Sequence, residues 1–178
     1  MLVTLRRFTE ADLVMLDEWH SEIESDQYME KLAPTAFETS GFGGWGREFV
    51  WFVITTGGRD IGCVWIESKK NQRTIGILGI VIGRLGYIGK GIGRIAVRKA
   101  IEEGRPILGY DIVRLHVRRY NERAISCYSA CGFVITGEGA RPHEALGKVP
   151  FYRMELFLEP AEKAGRGLRS LRAEGGRI

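Results

Sequence analysis

Between Leu2 and Leu158 the chain alternates short apolar runs with amphipathic stretches. Leu2 to Arg7 reads as a strand. Thr9 follows as an N-cap with Asp12 three residues on, a capping-box variant. Leu13, Leu16, Trp19 and Ile23 then share one helical stripe. From Ala33 to Glu48 the pattern breaks: Pro34, Gly41, Gly43, Gly44 and Gly46 interrupt Phe37, Phe42 and Trp45, which predicts a flexible aromatic loop beside a short helix. Phe49 to Thr55 and Asp60 to Glu67 are β-rich runs joined by Thr56-Gly57-Gly58-Arg59, a hairpin signal. Thr74 to Ile82 is almost wholly apolar and suits a central strand buried on both faces. A helix is predicted from Lys90 to about Glu103, with Ile92, Ile95, Ala96 and Ala100 on one face. Val113, Leu115 and Val117 alternate with Arg114, His116 and Arg118, a strand with one wet face. Asn121 caps a helix carrying Ala124, Cys127, Tyr128 and Cys131 that stops at Gly132. Phe133 to Gly137 and Pro150 to Leu158 complete the strands. Strands come first and helices interleave late, so the pattern predicts one α/β (α+β) domain over residues 1–159 with a mixed sheet.

Composition narrows the class. The chain has 178 residues, 44% of them hydrophobic, enough for one real core. No apolar stretch reaches the roughly 20 residues of a membrane-spanning helix, and the first ten residues hold no signal-peptide core. Cys63, Cys127 and Cys131 are odd in number and lack metal-ligand spacing, which predicts a cytoplasmic protein with no disulfide framework and no metal. The net charge of +4 does not imply nucleic acid, because the charge is segregated. Glu10, Asp12, Asp17, Glu18, Glu22, Glu24, Asp26 and Glu30 form an acidic segment without Lys or Arg. Residues 160–178 are basic and Gly-rich, with Lys163, Arg166, Arg169, Arg172 and Arg177 beside Gly165, Gly167, Gly175 and Gly176, and read as a flexible tail. The acidic segment is either a solvated helix face or a field that draws a cationic substrate.

The 24 glycines concentrate where chemistry is expected. A strand ending in Val81, Ile82 and Gly83 leads into Ile88-Gly89-Lys90-Gly91-Ile92-Gly93-Arg94, which opens a helix. Such a turn presents backbone N–H groups at the positive end of a helix dipole and suits a phosphate. Arg84 and Gly91 stand where a Walker A loop needs Gly and Ser or Thr, so that motif fails. Gly91-Ile92-Gly93-Arg94-Ile95-Ala96 fits G-x-G-x-x-A, but its glycines fall inside the helix and Arg118 and Arg119 end the next strand where an acid is needed.

The glycine segment resembles instead the coenzyme A signature of the GNAT acetyltransferase family, (Q/R)-x-x-G-x-(G/A), with Ile88 replacing the usual Gln or Arg. Asn121 to Phe133 matches a second hallmark of the family, N-x-x-A-x-x-x-Y-x-x-x-G-F, at every named position. The resemblance covers roughly residues 2 to 158, and Lys148 to Leu158 with Arg123-Ala124-Ile125 looks most like the ribosomal-protein-alanine and aminoglycoside 6′-N-acetyltransferase branch. It implies a mixed, mostly antiparallel sheet of six to seven strands flanked by about four helices. It also implies an acetyl-coenzyme A dependent N-acetyltransferase of a primary amine, belonging to a small cationic molecule or a protein N-terminus, in a monomer or homodimer. Residue by residue, Val81, Ile82 and Gly83 would meet the pantetheine arm and acetyl carbonyl. Ile88, Gly89, Lys90, Gly91, Ile92, Gly93 and Arg94 would cradle the pyrophosphate. Asn121 and Ala124 would border the arm, and Tyr128 would face the thioester sulfur. A donor such as succinyl-coenzyme A, or a coenzyme-binding sensor with little turnover, would use the same loop.

Leaving-group chemistry supports Tyr128 independently, since a thiol of pKa about 8.5 leaves more readily when the sulfur is protonated. An alkyl amine of pKa about 10.4 must also lose a proton before attack. Thr74 to Gly83 offers no carboxylate for that task, which leaves Glu67, Glu22, Glu24 and Asp26 as alternatives. His20, His116 and His143 are isolated in sequence and read as structural.

Overall fold

A computed structural model of the chain describes residues 2–23, 31–69 and 72–159. Glu24, Asp26, Glu30 and the basic tail lie outside the described residues. Seven strands form one sheet: β1 (Val3–Arg7), β2 (Phe49–Thr56), β3 (Arg59–Lys69), β4 (Gln72–Ile82), β5 (Ile112–Arg118), β6 (Val134–His143) and β7 (Gly147–Phe157). Their order is β1-β2-β3-β4-β5-β7-β6, and every neighbouring pair is antiparallel except β4–β5. Among the described residues four α-helices accompany them: α1 (Leu13–Ile23), α2 (Phe37–Ser40), α3 (Ile92–Leu108) and α4 (Glu122–Ser129). Among the described residues no helix is long and apolar enough to cross a membrane.

The parallel pair positions the site. β4 meets β5 only where Ile75, Gly76 and Ile77 face Ile112, Val113 and Arg114. Beyond that point β4 stays on β3 as far as Ile82, while β5 stays on β7 as far as Arg118. The two strands therefore part, and the sheet opens between them.

Each face carries its own core. On one side α3 buries Ile92, Ala96, Val97, Ala100 and Ile101 against Val50, Ile66, Leu78, Val113 and Leu115. Their spacing is one helical face, as the periodicity predicts. On the other side Trp19 of α1 packs with Phe8, Trp51, Val53, Cys63 and Trp65. The entry to α1 is held by Asp12, which accepts hydrogen bonds from the Thr9 amide (2.8 Å) and hydroxyl (2.9 Å) and from the Arg6 guanidinium (2.9 and 2.8 Å).

Three sequence expectations change. Helix α3 runs on to Leu108, through Gly104 and Pro106, before Gly109 caps it in the left-handed region. Gly104, just past the predicted end, admits neighbours: a Cβ would lie 2.8 Å from the Tyr110 hydroxyl and 2.9 Å from Val50. Strands β6 and β7 extend to a hairpin at Gly147, well past Gly137 on one side and Pro150 on the other. The aromatic loop does not stand free. Phe37 and Phe42 pack edge-on at 4.9 Å, Phe37 meets Trp51 at 5.4 Å, and Phe8 stacks on the same Trp51 at 3.7 Å. Trp45 donates its indole N–H to the Trp51 carbonyl at 3.3 Å. These aromatics anchor the segment to the sheet.

Candidate active site

The opening between β4 and β5 widens into a cleft of about 1220 Å³. One wall is β4 from Ile77 to Ile82 with the glycine loop behind it. Gly89 and Gly91 adopt φ of 78° and 77°, the left-handed region that glycine enters without steric cost. A Cβ at Gly89 would find no protein atom within 4 Å, so the backbone there borders open space. Gly91 is the N-cap of the 17-residue helix α3, and Arg94 sits in its first turn. The unpaired N–H groups of that turn and the Arg94 charge make this corner of the cleft attractive to an anion.

Helix α4 forms the adjoining wall. Asn121 caps it by accepting the Ala124 N–H at 3.2 Å, and the Asn121 N–H is tied to the Arg118 carbonyl at 2.9 Å. The helix closes where Cys131 and Phe133 both donate to the Tyr128 carbonyl, at 2.9 and 3.1 Å, with Gly132 at φ 97°. Tyr128 is thereby fixed by its backbone and by the Phe133 ring 5.9 Å away, while its side chain lines the cleft. Its hydroxyl makes no hydrogen bond among the described residues. Burial, with Cys127 and Cys131 adding to it, pushes the phenol above its ordinary range, so it is protonated at neutral pH and available as a donor.

Of the residues singled out from the sequence, Val81, Ile82, Ile88, Gly89, Gly91, Ile92, Gly93, Arg94, Asn121, Ala124 and Tyr128 all line this one cleft. Gly83 and Lys90 do not. The Gly83 N–H extends the β3–β4 ladder by donating to the Ile61 carbonyl at 2.7 Å, and a Cβ there would lie 2.1 Å from the Trp19 ring. Lys90 turns its ammonium towards the Tyr87 ring, 5.5 Å from the centroid.

Across the cleft the lining comes from distant parts of the chain: Ala33, Thr35, Ala36 and Glu38 beside α2, Glu67 on β3, Arg114, His116 and Arg118 on β5, and Arg141 and Phe151 on the β6–β7 hairpin. His116, Arg141 and Phe151 carry no motif, and only the strand register unites them. The carboxylates differ in their freedom. Glu22 is bound to the Arg84 guanidinium (2.8 Å) and the Leu85 N–H (2.9 Å), and these bonds, the arginine first, hold its carboxyl below the ordinary range. Glu18 also pairs with Arg84, at 2.7 Å, so the two glutamates share one arginine. Glu67 accepts from the Thr35 hydroxyl and the Ala36 N–H, each at 3.1 Å, and faces the cleft.

This fold recurs in proteins of known structure. The fold is similar to an acetyltransferase of the GNAT family from Streptococcus pneumoniae, at 23% identity over 89% of this chain and 100% of that one, with a TM-score of 0.70. It is also similar to spermidine N-acetyltransferase from Vibrio cholerae in complex with CoA and spermine, at 22% identity over 87% and 95% of the two chains, with a TM-score of 0.70. The aminoglycoside acetyltransferase AAC(6′)-Ib in complex with coenzyme A aligns at 20% identity over 88% and 95%, with a TM-score of 0.68. No curated protein sequence matches the chain. The model of the acetyltransferase (GNAT) family matches residues 13–133, from the first helix through the Tyr-bearing one, and on that match the chain belongs to the GNAT acetyltransferase family.

Proposed function

We propose that the protein is an acetyl-coenzyme A dependent N-acetyltransferase that delivers the acetyl group to a primary amine by direct attack on the thioester. The carrying observation is that one cleft unites the left-handed glycine turn, the parted ends of β4 and β5, and Tyr128. The pyrophosphate would lie on the N–H groups from Gly89 to Gly93 with Arg94 beside it. The pantetheine arm would run along Val81 and Ile82, using backbone groups that β5 no longer pairs, with Asn121 and Ala124 on its other side.

The amine nitrogen attacks the thioester carbonyl, the C–S bond breaks, and Tyr128 gives its proton to the departing sulfur. The amine proton leaves towards the side of the cleft holding Glu67, directly or through water. The acceptor is a small molecule or a protein N-terminus, and the free, unbridged cysteines suit a cytoplasmic setting.

Free-thiol release from acetyl-coenzyme A, measured with and without a panel of amines and N-terminal peptides, tests this reading. Amine-dependent release is the expected result. Coenzyme binding without release for any amine would refute it and leave a sensor, or a transferase for a different acyl group such as succinyl.

A further inference from the structure

The wall facing the glycine turn has a composition that the transferase reading does not require. Along β5, alternation sends Val113, Leu115 and Val117 into the core under α3 and leaves Arg114, His116 and Arg118 on the opposite face, where all three line the cleft. Their register partners on β7 are Glu155, Arg153 and Phe151. Arg141, from β6, joins the same wall.

These side chains are held in place. Arg114 is locked to Glu155 at 2.6 and 2.7 Å, an ion pair with little exposure on either side. Burial alone would raise the Glu155 carboxyl, but hydrogen bonds with Thr136 and Arg114 outweigh it and keep it ionised. Arg118 donates to the Tyr120 hydroxyl at 3.2 Å. Arg141 lies over the Phe151 ring, 4.8 Å from its centroid, and its Nη2 is 3.1 Å from His116 Nδ1. A guanidinium only donates, so in that contact His116 Nδ1 is the acceptor. Phe151 in turn rests in a slot on β6: a Cβ at Gly139 would come within 2.6 Å of the ring. His116 packs edge-on against the same ring at 5.0 Å. The glycine, the phenyl ring and the imidazole thus form a seat for the Arg141 guanidinium.

A wall of hydrogen-bond donors and positive charge is a poor surface for a polycation and a good one for a carboxylate. Guanidinium groups match a carboxylate in a planar, two-pronged geometry, and the bonds are charge-assisted. The described carboxylates of the cleft, Glu22, Glu38 and Glu67, come instead from α1, α2 and β3 on the other side of the opening. We infer that the acceptor is a small zwitterion, a free amino acid in its simplest form, whose carboxylate docks on Arg141 and Arg118 while its amine faces the opening between β4 and β5. This rests on the transferase reading and names the class of amine that it takes. Resting the guanidinium on an aromatic face keeps it extended into the cleft at modest entropic cost, which favours a small acceptor.

The test uses the full chain, acetyl-coenzyme A, the free L-amino acids and their C-terminal amides, with spermidine and kanamycin as polycations. The readout is kcat/KM for thiol release, expressed as the ratio of each acid to its own amide. We expect at least one amino acid to exceed both polycations. We also expect its acid-to-amide ratio to fall by about tenfold or more in Arg141→Gln and to recover in part in Arg141→Lys. The KM for acetyl-coenzyme A should move by less than about twofold in either variant, which separates a lost carboxylate contact from a damaged fold. A preference for polycations, or an acid-to-amide ratio unchanged by Arg141→Gln, overturns the inference. Should no amine release thiol, calorimetry with the amino acids on the coenzyme-bound protein decides separately: binding that Arg141→Gln abolishes upholds the carboxylate site while the transferase reading falls, and absence of binding overturns the site too.

Discussion

The two sides of the cleft are built by different rules. The proposed coenzyme side is almost continuous in sequence: most residues from Ile80 to Arg94 and from Asn121 to Tyr128 line it, and its geometry follows from dihedral angles and helix caps that neighbouring residues determine. The proposed acceptor side takes Thr35, Glu67, His116, Arg141 and Phe151, which lie far apart in the chain and meet only because of strand order and register. A surface fixed by local geometry tolerates few residue types at each position, whereas one fixed by register changes character with single side chains. That division suits the proposed transferase, with a donor site set locally and an acceptor site assembled by register.

The sharpest way to break the comparison is Tyr128→Phe. The phenol is the one protonated donor that we place at the reacting sulfur, and its ring also touches Phe133, so the phenylalanine keeps the packing and removes only the hydroxyl. Turnover should fall by roughly tenfold or more, about 1.4 kcal/mol of transition-state stabilisation, while the Kd for coenzyme A stays within about twofold. Unchanged turnover would remove Tyr128 from the mechanism.

A pair of identical substitutions sharpens it next. Gly91→Ala forces a side chain onto a residue at φ 77°, at a cost of about 1–2 kcal/mol, and disturbs the N-cap of α3. The Kd for coenzyme A should weaken by about tenfold and the acceptor KM should hardly move. Gly139→Ala displaces the Phe151 ring beneath Arg141 and should raise the acceptor KM several-fold, with coenzyme binding intact. If both variants move the same constant, the two sides are not separable.

How much of this was legible in the sequence follows the same division. Residues with short-range jobs declared themselves: Asn121 as a cap, Gly89 and Gly91 as the turn, and the Gly57-Gly58 hairpin between β2 and β3. Residues whose role depends on a distant partner did not. Gly83 belongs to the glycine-rich stretch, yet it is kept small by Trp19 from the opposite core. Phe37 and Phe42 read as a free aromatic loop because Trp51 and Phe8, which they join, are brought to them only by the sheet. His116 looked structural for want of a neighbour in sequence, and its neighbour is Arg141, delivered through β7. The far end of α3 lies past Gly104 and includes Pro106, and the close approach of Val50 and Tyr110 to Gly104 holds the helix there.

The smallest expected effect reports on the coenzyme side alone. Cys127 and Cys131 sit one turn apart, and the hydrogen bond between them lowers the Cys131 thiol; partial burial opposes it, and Arg98 and Arg94 add to the lowering. Burial pushes Cys63 the other way, to about 12. Since the thiolate is the nucleophile, iodoacetamide should modify Cys131 at a lower pH than an ordinary thiol, while Cys63 stays silent until the protein unfolds. Arg94 is also the cation that we assign to the pyrophosphate. A bound coenzyme brings negative charge to that guanidinium, weakens its pull on the thiolate, and should move the midpoint of Cys131 alkylation upward by a fraction of a pH unit. An amino acid bound at Arg141 alone should leave the midpoint where it was. Mass-spectrometric alkylation profiles against pH, with coenzyme A and with an amino acid separately, measure both shifts. A midpoint that moves with the amino acid and not with the coenzyme would reverse the assignment of the two walls.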